Sequence, residues 1–445
     1  MDSTFDLNEQ NPWWNADYSM QEDLHLRQSS GQPHYLQRTE FLNLPLRPGD
    51  FHIIRGPRQV GKTTLIKEWI SRLIQSKSSL PQNILFLSCE GIRDFTELQK
   101  TLTLWLKDKQ ATPTFIFLDE ISFVEKWQQA VLHAFNLGFL ENSCLVITGS
   151  NARDLKESSE RFPGRRGQGK NFSLFPISIL EYPRIPGFKG KSPEELLEIY
   201  WSVGGFPHAI KDYITYGAVT DSTYETYRNW IIGDAARYAL SEEFLKQILY
   251  RISETLTSRL TWSSLIETTT IKDHQTALRY VEHLSDAFLC HIHYCFDLDK
   301  KAPTFTKARK LYFIDPLLVA IGWAWKPAIP NIYSWFKKQV NDPEFKSLLL
   351  ENGICGLAHR QGLQAYFWYS SKTQQEVDLI IYQNQKINLY EIKLNPSESK
   401  KKRILSFPVQ MLGMADFLHA NQSVLNKDSI FDEWNNPLDS DYDKL

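Results

Sequence analysis

Five short apolar runs punctuate the first half of the chain: FHIIR from Phe51, ILFLSC from Ile84, TFIFLD from Thr114, CLVITG from Cys144 and FSLFP from Phe172. The stretches between them carry apolar residues at helical spacing. Runs that are apolar on both faces, alternating with helices, predict a parallel five-stranded sheet with helices on both faces, an α/β fold. We place this core at 36–185, behind an N-terminal extension at 1–35. A helical region follows at 186–244, where SPEELLEIYWSVGG opens on a Ser-Pro-Glu-Glu start and stops at Gly204-Gly205. Segment 245–325 reads helix, helix, helix, strand, charged loop, strand; segment 326–420 reads helix, two strands, helix, a small α+β domain; and 421–445 is an acidic tail with no packing pattern.

Composition changes this picture little. With 42% hydrophobic and 23% charged residues in 445, the chain is an ordinary globular protein of two or three domains, not a disordered or low-complexity one. A formal net charge of −2 sets up no global basic field, so any nucleic-acid contact must come from local patches. The five cysteines are odd in number and lack zinc spacing, the N-terminus has no secretory pattern, and the longest apolar stretch, LYFIDPLLVAIGWAW, is broken by Asp315-Pro316. These features lead us to expect a cytoplasmic protein with no membrane span.

Chemistry enters with GPRQVGKTT. Gly56, Pro57, Arg58, Gln59, Val60, Gly61, Lys62 and Thr63 fill G-x-x-x-x-G-K-[ST] between a strand and an amphipathic helix, with Thr64 next. Such a loop curls backbone N–H groups around the phosphates of ATP, the lysine reaches the outer phosphates, and the Thr63 hydroxyl can hold Mg²⁺. The third run delivers Asp119 and Glu120 at its C-terminal end, where open α/β sheets place ligands. Asp119 is expected in the Mg²⁺ shell and Glu120 beside the attacking water. The fourth run ends in Ser150 and Asn151, suited to the γ-phosphate or simply starting a polar loop. Before the fifth run, Arg161, Arg165, Arg166 and Lys170 form either a solvated basic loop or the source of an arginine that stabilises transferred phosphoryl charge.

Taken together, GPRQVGKTTL, FLDEI followed by Trp127, ITGSN, PGRR, LFPISILEY and GGFP resemble the prokaryotic AAA-type P-loop ATPases that carry a conserved uncharacterised C-terminal domain. The resemblance runs from about Leu36 to Asn395. It implies ATP hydrolysis with Mg²⁺, makes Arg165 the arginine-finger candidate, acting in cis or across a homo-oligomer, and relates Gly204–Pro207 to the lid motif of related signalling NTPases.

The element order over 245–325 suggests a winged helix-turn-helix. Its second helix would expose Lys272, His274, Gln275 and Arg279, and DLDKKAPTFTKARK would form a basic wing with Lys300, Lys301, Lys307, Arg309 and Lys310. Such a surface suits DNA, although winged helices also serve as packing or protein-contact modules.

In EVDLIIYQNQKINLYEIKLN, a two-residue turn at Asn384-Gln385 would set Asp378 opposite Glu391 and Glu376 opposite Lys393. Facing carboxylates repel unless a cation lies between them, and oxygen ligands suit Mg²⁺ or Mn²⁺. Asp-x12-Glu-x-Lys resembles the PD-(D/E)XK nuclease core. That likeness implies metal ligation by Glu351, Asp378 and Glu391, catalysis by Asp378, Glu391 and Lys393, and a following helix with Lys400–Arg403 beside the DNA backbone. The chain departs from the short motif in having Glu376-Val377, not proline, before Asp378. Two readings therefore stand: an ATPase coupled to a DNA transaction that includes Mg²⁺-dependent cleavage, or a nucleotide-dependent switch that binds DNA or a protein without cutting.

Overall fold

The computed structural model describes residues 7–109, 111–150, 162, 167–325, 327, 329–395, 403–405 and 407–418. Two compact units emerge, Met1–Leu174 and Phe175–Leu445.

In the first unit, β1 (Phe51–Arg55), β2 (Ile84–Ser88), β3 (Thr114–Asp119), β4 (Ser143–Gly149) and β5 (Asn171–Ser173) form a parallel sheet in the order β2-β3-β4-β1-β5. Nearly every residue of β1–β4 is buried, which is why these runs are continuously apolar rather than alternating. The fifth run yields only three strand residues. Helices α1 (Lys62–Gln75), α2 (Phe95–Leu106) and α3 (Trp127–Asn136) follow the first three strands. Leu98, Leu102 and Leu106 of α2, and Ala130, Val131 and Ala134 of α3, close a common core over Leu85, Leu87, Ile116 and Leu118.

The N-terminal extension, to which the sequence assigned no task, seals the outer edge of β2 with side chains. Asn11 accepts from the Phe86 N–H (2.6 Å) and donates to the Phe86 carbonyl (2.9 Å). Gln10 accepts from the Ser88 N–H, and the indoles of Trp13 and Trp14 donate to the Ile84 carbonyl. Side-chain amides and indoles thus do for this edge what a neighbouring strand would do.

In the second unit, α4 (Pro193–Val203), α5 (Pro207–Tyr216) and α6 (Asp221–Arg237) precede α7 (Glu242–Glu254), α8 (Trp262–Ile266) and α9 (His274–Asp286). Ser192 and Glu195 make the capping box that starts α4. Among the described residues the strands β6 (Cys290–Asp297), β7 (Ala302–Phe313), β8 (Ala365–Ser370), β9 (Gln375–Gln383), β10 (Lys386–Ile392), β11 (Arg403–Ile404) and β12 (Phe407–Leu412) form one sheet, ordered β11-β12-β10-β9-β8-β6-β7. Two segments that read as separate modules therefore share a sheet, joined where Cys295 of β6 meets Phe367 of β8 in parallel. The expected helix over Lys400–Arg403 is not what Arg403 shows, since it opens the short strand β11; Lys400–Lys402 lie outside the described residues.

Helices α10 (Pro316–Trp325), α11 (Ile332–Val340) and α12 (Pro343–Arg360) complete the unit, with a last short turn, α13 (Met414–Leu418). The Asp315-Pro316 break divides the long apolar stretch into the end of β7 and the buried α10. No helix among the described residues is long and apolar enough to cross a membrane.

The GGFP motif explains itself here. The Gly205 N–H donates to the buried Asp315 carboxylate (2.8 Å), which also accepts from the Leu317 N–H, and Arg360 lies 3.8 Å away. A Cβ on Gly205 would stand 1.8 Å from the Ile177 carbonyl oxygen, so no side chain fits. That contact ties 175–185, which the sequence assigned to the core, into the second unit. Burial pushes the Asp315 carboxyl up to about 6 against the pull of Arg360.

Candidate functional site

The phosphate loop leaves β1 at Gly56, which has φ 154°; a Cβ there would meet the Leu174 carbonyl oxygen at 2.1 Å. Pro57 and Val60 are buried, and Gln59 turns the loop through the left-handed region at φ 59°. The Arg58 guanidinium lies over the Phe123 ring at 4.8 Å. Gly61 caps α1, whose first turn holds Lys62, Thr63 and Thr64. The Lys62 ammonium is buried, donating to the carbonyls of Gly56 (2.9 Å) and Pro57 (3.0 Å) and pairing with Glu120 at 2.9 Å.

Strand β3 brings both acids to this point. Asp119 accepts from the Thr63 hydroxyl (2.6 Å) on one oxygen and from the Thr148 hydroxyl (2.5 Å) on the other. Glu120 sits in the left-handed region at φ 50°, a conformation that costs a non-glycine residue on the order of 1 kcal/mol and turns its side chain back toward Lys62. Thr148 holds the bend by accepting from the Glu120 N–H (2.9 Å) while donating to Asp119. The sequence reading missed this threonine; its signal was a hydroxyl after a run of apolar residues near the end of the neighbouring strand.

The electrostatics separate the two carboxylates. Burial, and then the charge of Glu120, raise Asp119 above its ordinary range. Burial pushes Glu120 the same way, but Lys62 and Arg58 outweigh it and hold Glu120 below the usual range. A threonine hydroxyl and a carboxylate, side by side at a helix N-terminus, make a donor set that fits Mg²⁺ beside bound phosphates. Ser150 is buried at the end of β4, whereas Asn151, Arg161, Arg165 and Arg166 lie outside the described residues.

The hairpin keeps the expected register. Lys386 pairs with Gln383 and each pair inward follows, to Tyr390 with Leu379, around the left-handed pair Asn384-Gln385 at φ 50° and 62°. Beyond that point Asp378 accepts from the Ile392 N–H (2.8 Å), and Lys393 pairs with Glu391 at 3.3 Å. Lys393 also acts on Asp378, its positive charge opposing the upward push of burial.

What lies among these acids is Lys310, from β7. Its ammonium stands 2.9 Å from Glu351, 2.6 Å from Glu376 and 3.7 Å from Asp378, with the side chain 1% exposed. Tyr312, two residues along and on the same face, donates to the same Glu351 oxygen at 2.9 Å. Arg259 pairs with Glu376 at 3.1 Å while stacking on Tyr369. Burial alone would lower the lysine, but Glu351, Asp378 and Glu376 more than offset it and keep the ammonium charged. Glu351 is pushed up to about 7 by burial, with Lys310 opposing and Asp378 adding. Glu351, Asp378 and Lys393 thus gather near one another, but no group of three His, Cys, Asp or Glu side chains among the described residues is placed to hold a metal ion.

Only part of the expected basic wing faces solvent. Lys300, Lys301 and Lys307 are exposed, but Arg309 and Lys310 are buried, Arg309 against Trp262 and Lys310 among Glu351, Glu376 and Asp378. The Arg309 guanidinium lies 4.0 Å above the Trp262 ring, and Leu260 makes a single antiparallel bridge to Arg309. At the start of α9, Lys272, His274, Gln275 and Arg279 are all exposed, as expected.

Residues 49–183 match the sequence profile of an AAA domain, and residues 194–324 that of a domain of unknown function (DUF8612). The first of these matches gives the chain an AAA domain of the P-loop kind. No curated protein matches the chain in sequence. Among solved structures, similar chains include a replication initiator, DnaA, bound to AMPPCP and single-stranded DNA (15% identity, 56% of this chain and 85% of that one, TM-score 0.31). Cdc6p from Pyrobaculum aerophilum (14% identity, 74% and 98%, TM-score 0.30) and a point variant of RuvB from Thermotoga maritima (15% identity, 54% and 81%, TM-score 0.29) are others.

Proposed function

We propose that the chain binds and hydrolyses ATP with Mg²⁺ at the loop between β1 and α1, and uses the cycle to act on DNA held by its second unit. The observation that carries the first part is the joined set Lys62, Thr63, Asp119, Glu120 and Thr148 within hydrogen-bonding distance of one another. ATP would offer Lys62 phosphate oxygens in place of Glu120. The carboxylate, already held ionised, would then be released to orient the attacking water. Thr63 and Asp119 would hold the Mg²⁺, and an arginine, with Arg165 as the candidate, would meet the transferred charge.

Lys62→Ala should abolish ATP binding, and Glu120→Gln should keep binding while lowering hydrolysis about 10²–10⁴-fold. Normal turnover by Lys62→Ala, read by phosphate release, would sink this assignment.

The DNA part is supported by exposed basic side chains, Lys272 and Arg279 at α9 and Lys300, Lys301 and Lys307 on the β6–β7 hairpin, which suit phosphate contact. Whether the second unit also cuts is decided by incubating linear, circular and single-stranded DNA with Mg²⁺ or Mn²⁺. Cleavage lost in Asp378→Ala and Lys393→Ala would favour the nuclease reading, and no cleavage by any form would favour a switch that grips without cutting.

A further inference from the structure

We infer that the Lys310 ammonium is the cation around which the acidic hairpin is built, standing where a nuclease core of this pattern would hold a divalent ion. Three carboxylates converge on it at 2.6–3.7 Å from different elements: Glu351 from α12, and Glu376 and Asp378 from β9. A buried cluster of like charges is tolerable only with opposite charge inside it, and the lysine supplies that charge from within the chain.

The remaining donor capacity of the acids is largely spoken for. The Glu351 oxygen that meets Lys310 also accepts from Tyr312; one Asp378 oxygen accepts from the Ile392 N–H; the second Glu376 oxygen meets Arg259; and Glu391 faces Lys393. A divalent ion would have to displace these partners and sit within a few ångström of a charged, buried ammonium. The residues present therefore do not fit the metal that the hairpin pattern implies. The site is an acidic knot tied by an internal cation, and its lysine, arriving from the β6–β7 hairpin, pins that hairpin to the one carrying Asp378. The divalent-ion requirement of the chain then belongs to the nucleotide loop alone.

This inference goes beyond the ATPase reading and stands apart from it, because its test uses no nucleotide. The nucleotide-free full chain is titrated with Mn²⁺, with free Mn²⁺ read by electron paramagnetic resonance, for wild type, Asp378→Asn and Lys310→Met. Wild type and Asp378→Asn should bind the same number of ions. Lys310→Met, folded by circular dichroism, should bind one more, at least tenfold tighter than any wild-type site outside the phosphate loop, and its thermal midpoint should rise with Mn²⁺. An equivalent bound by wild type and lost in Asp378→Asn overturns the inference, as does a folded Lys310→Met that gains none. If Lys310→Met fails to fold, the comparison of wild type with Asp378→Asn decides alone.

Discussion

Two histidines of β6 show what single residues contribute. His291 and His293 are both 2% exposed, His291 stacked on Tyr312 and His359 and His293 edge-on to Tyr312, and among the described residues neither ring nitrogen of either meets a hydrogen-bond partner. Burial, with the nearby His359 and Lys310, holds His293 neutral down to about 3. The unfolded chain takes up that proton near 6.5, so between these values it binds more protons than the folded chain, and stability falls as pH falls. From pH 7 to pH 5, wild type should lose about 2 kcal/mol more than His293→Phe in urea unfolding. Equal losses would mean that the ring is protonated in the fold. The raised carboxyls of Glu351 and Asp315 act with the opposite sign, which is why the comparison is with the variant. At this scale the phosphate loop was legible because its eight residues are contiguous and their task is local. Lys310 was not, since its partner Glu351 lies 41 residues on and nothing in the run KARKLYF says which face is buried.

Among elements, the hairpin and the N-terminal arm stand at opposite ends of legibility. The β9–β10 register followed from counting outward from a tight turn, because hairpin geometry depends on only two residues. The arm on β2 could not be read: Asn11 and Phe86 are 75 residues apart, and side-chain pairing with a strand edge has no periodicity. Asn11→Ala would leave the Phe86 N–H and carbonyl without these bonds, which should cost about 1–3 kcal/mol. The bared edge of β2 should also promote self-association. Chemical denaturation and light scattering check this, and a variant as stable and as monodisperse as wild type would remove the arm from its role. The shared seven-strand sheet was likewise hidden, because the bridge from β6 to β8 rests on a single parallel pair between distant segments.

For the whole molecule, charge decides how DNA can be held. A formal net charge of −2 gives no long-range attraction, so on the proposed reading the exposed Lys272, Arg279, Lys300, Lys301 and Lys307 of the second unit are the residues that would supply affinity. Binding measured by fluorescence anisotropy should weaken steeply as salt is raised, and Lys272→Ala or Arg279→Ala should each lower the slope of log K against log salt by about 1 if they touch phosphates. Salt-independent binding, or slopes unchanged in both variants, would place DNA elsewhere. The five-stranded sheet was readable because its strands are buried on both faces, whereas the boundary at Leu174 depends on what Gly205 and Ile177 do to each other in space.

The arm on β2 also sets an order in time. Gln10, Asn11, Trp13 and Trp14 leave the ribosome before Ile84, Phe86 and Ser88, the residues they must meet. At synthesis rates of roughly 5–20 residues per second, the two tryptophans wait several seconds with their partner strand still unmade. Residues 10–14 are thus made before the strand edge they cover, and the arm can close on β2 only once that strand has been added.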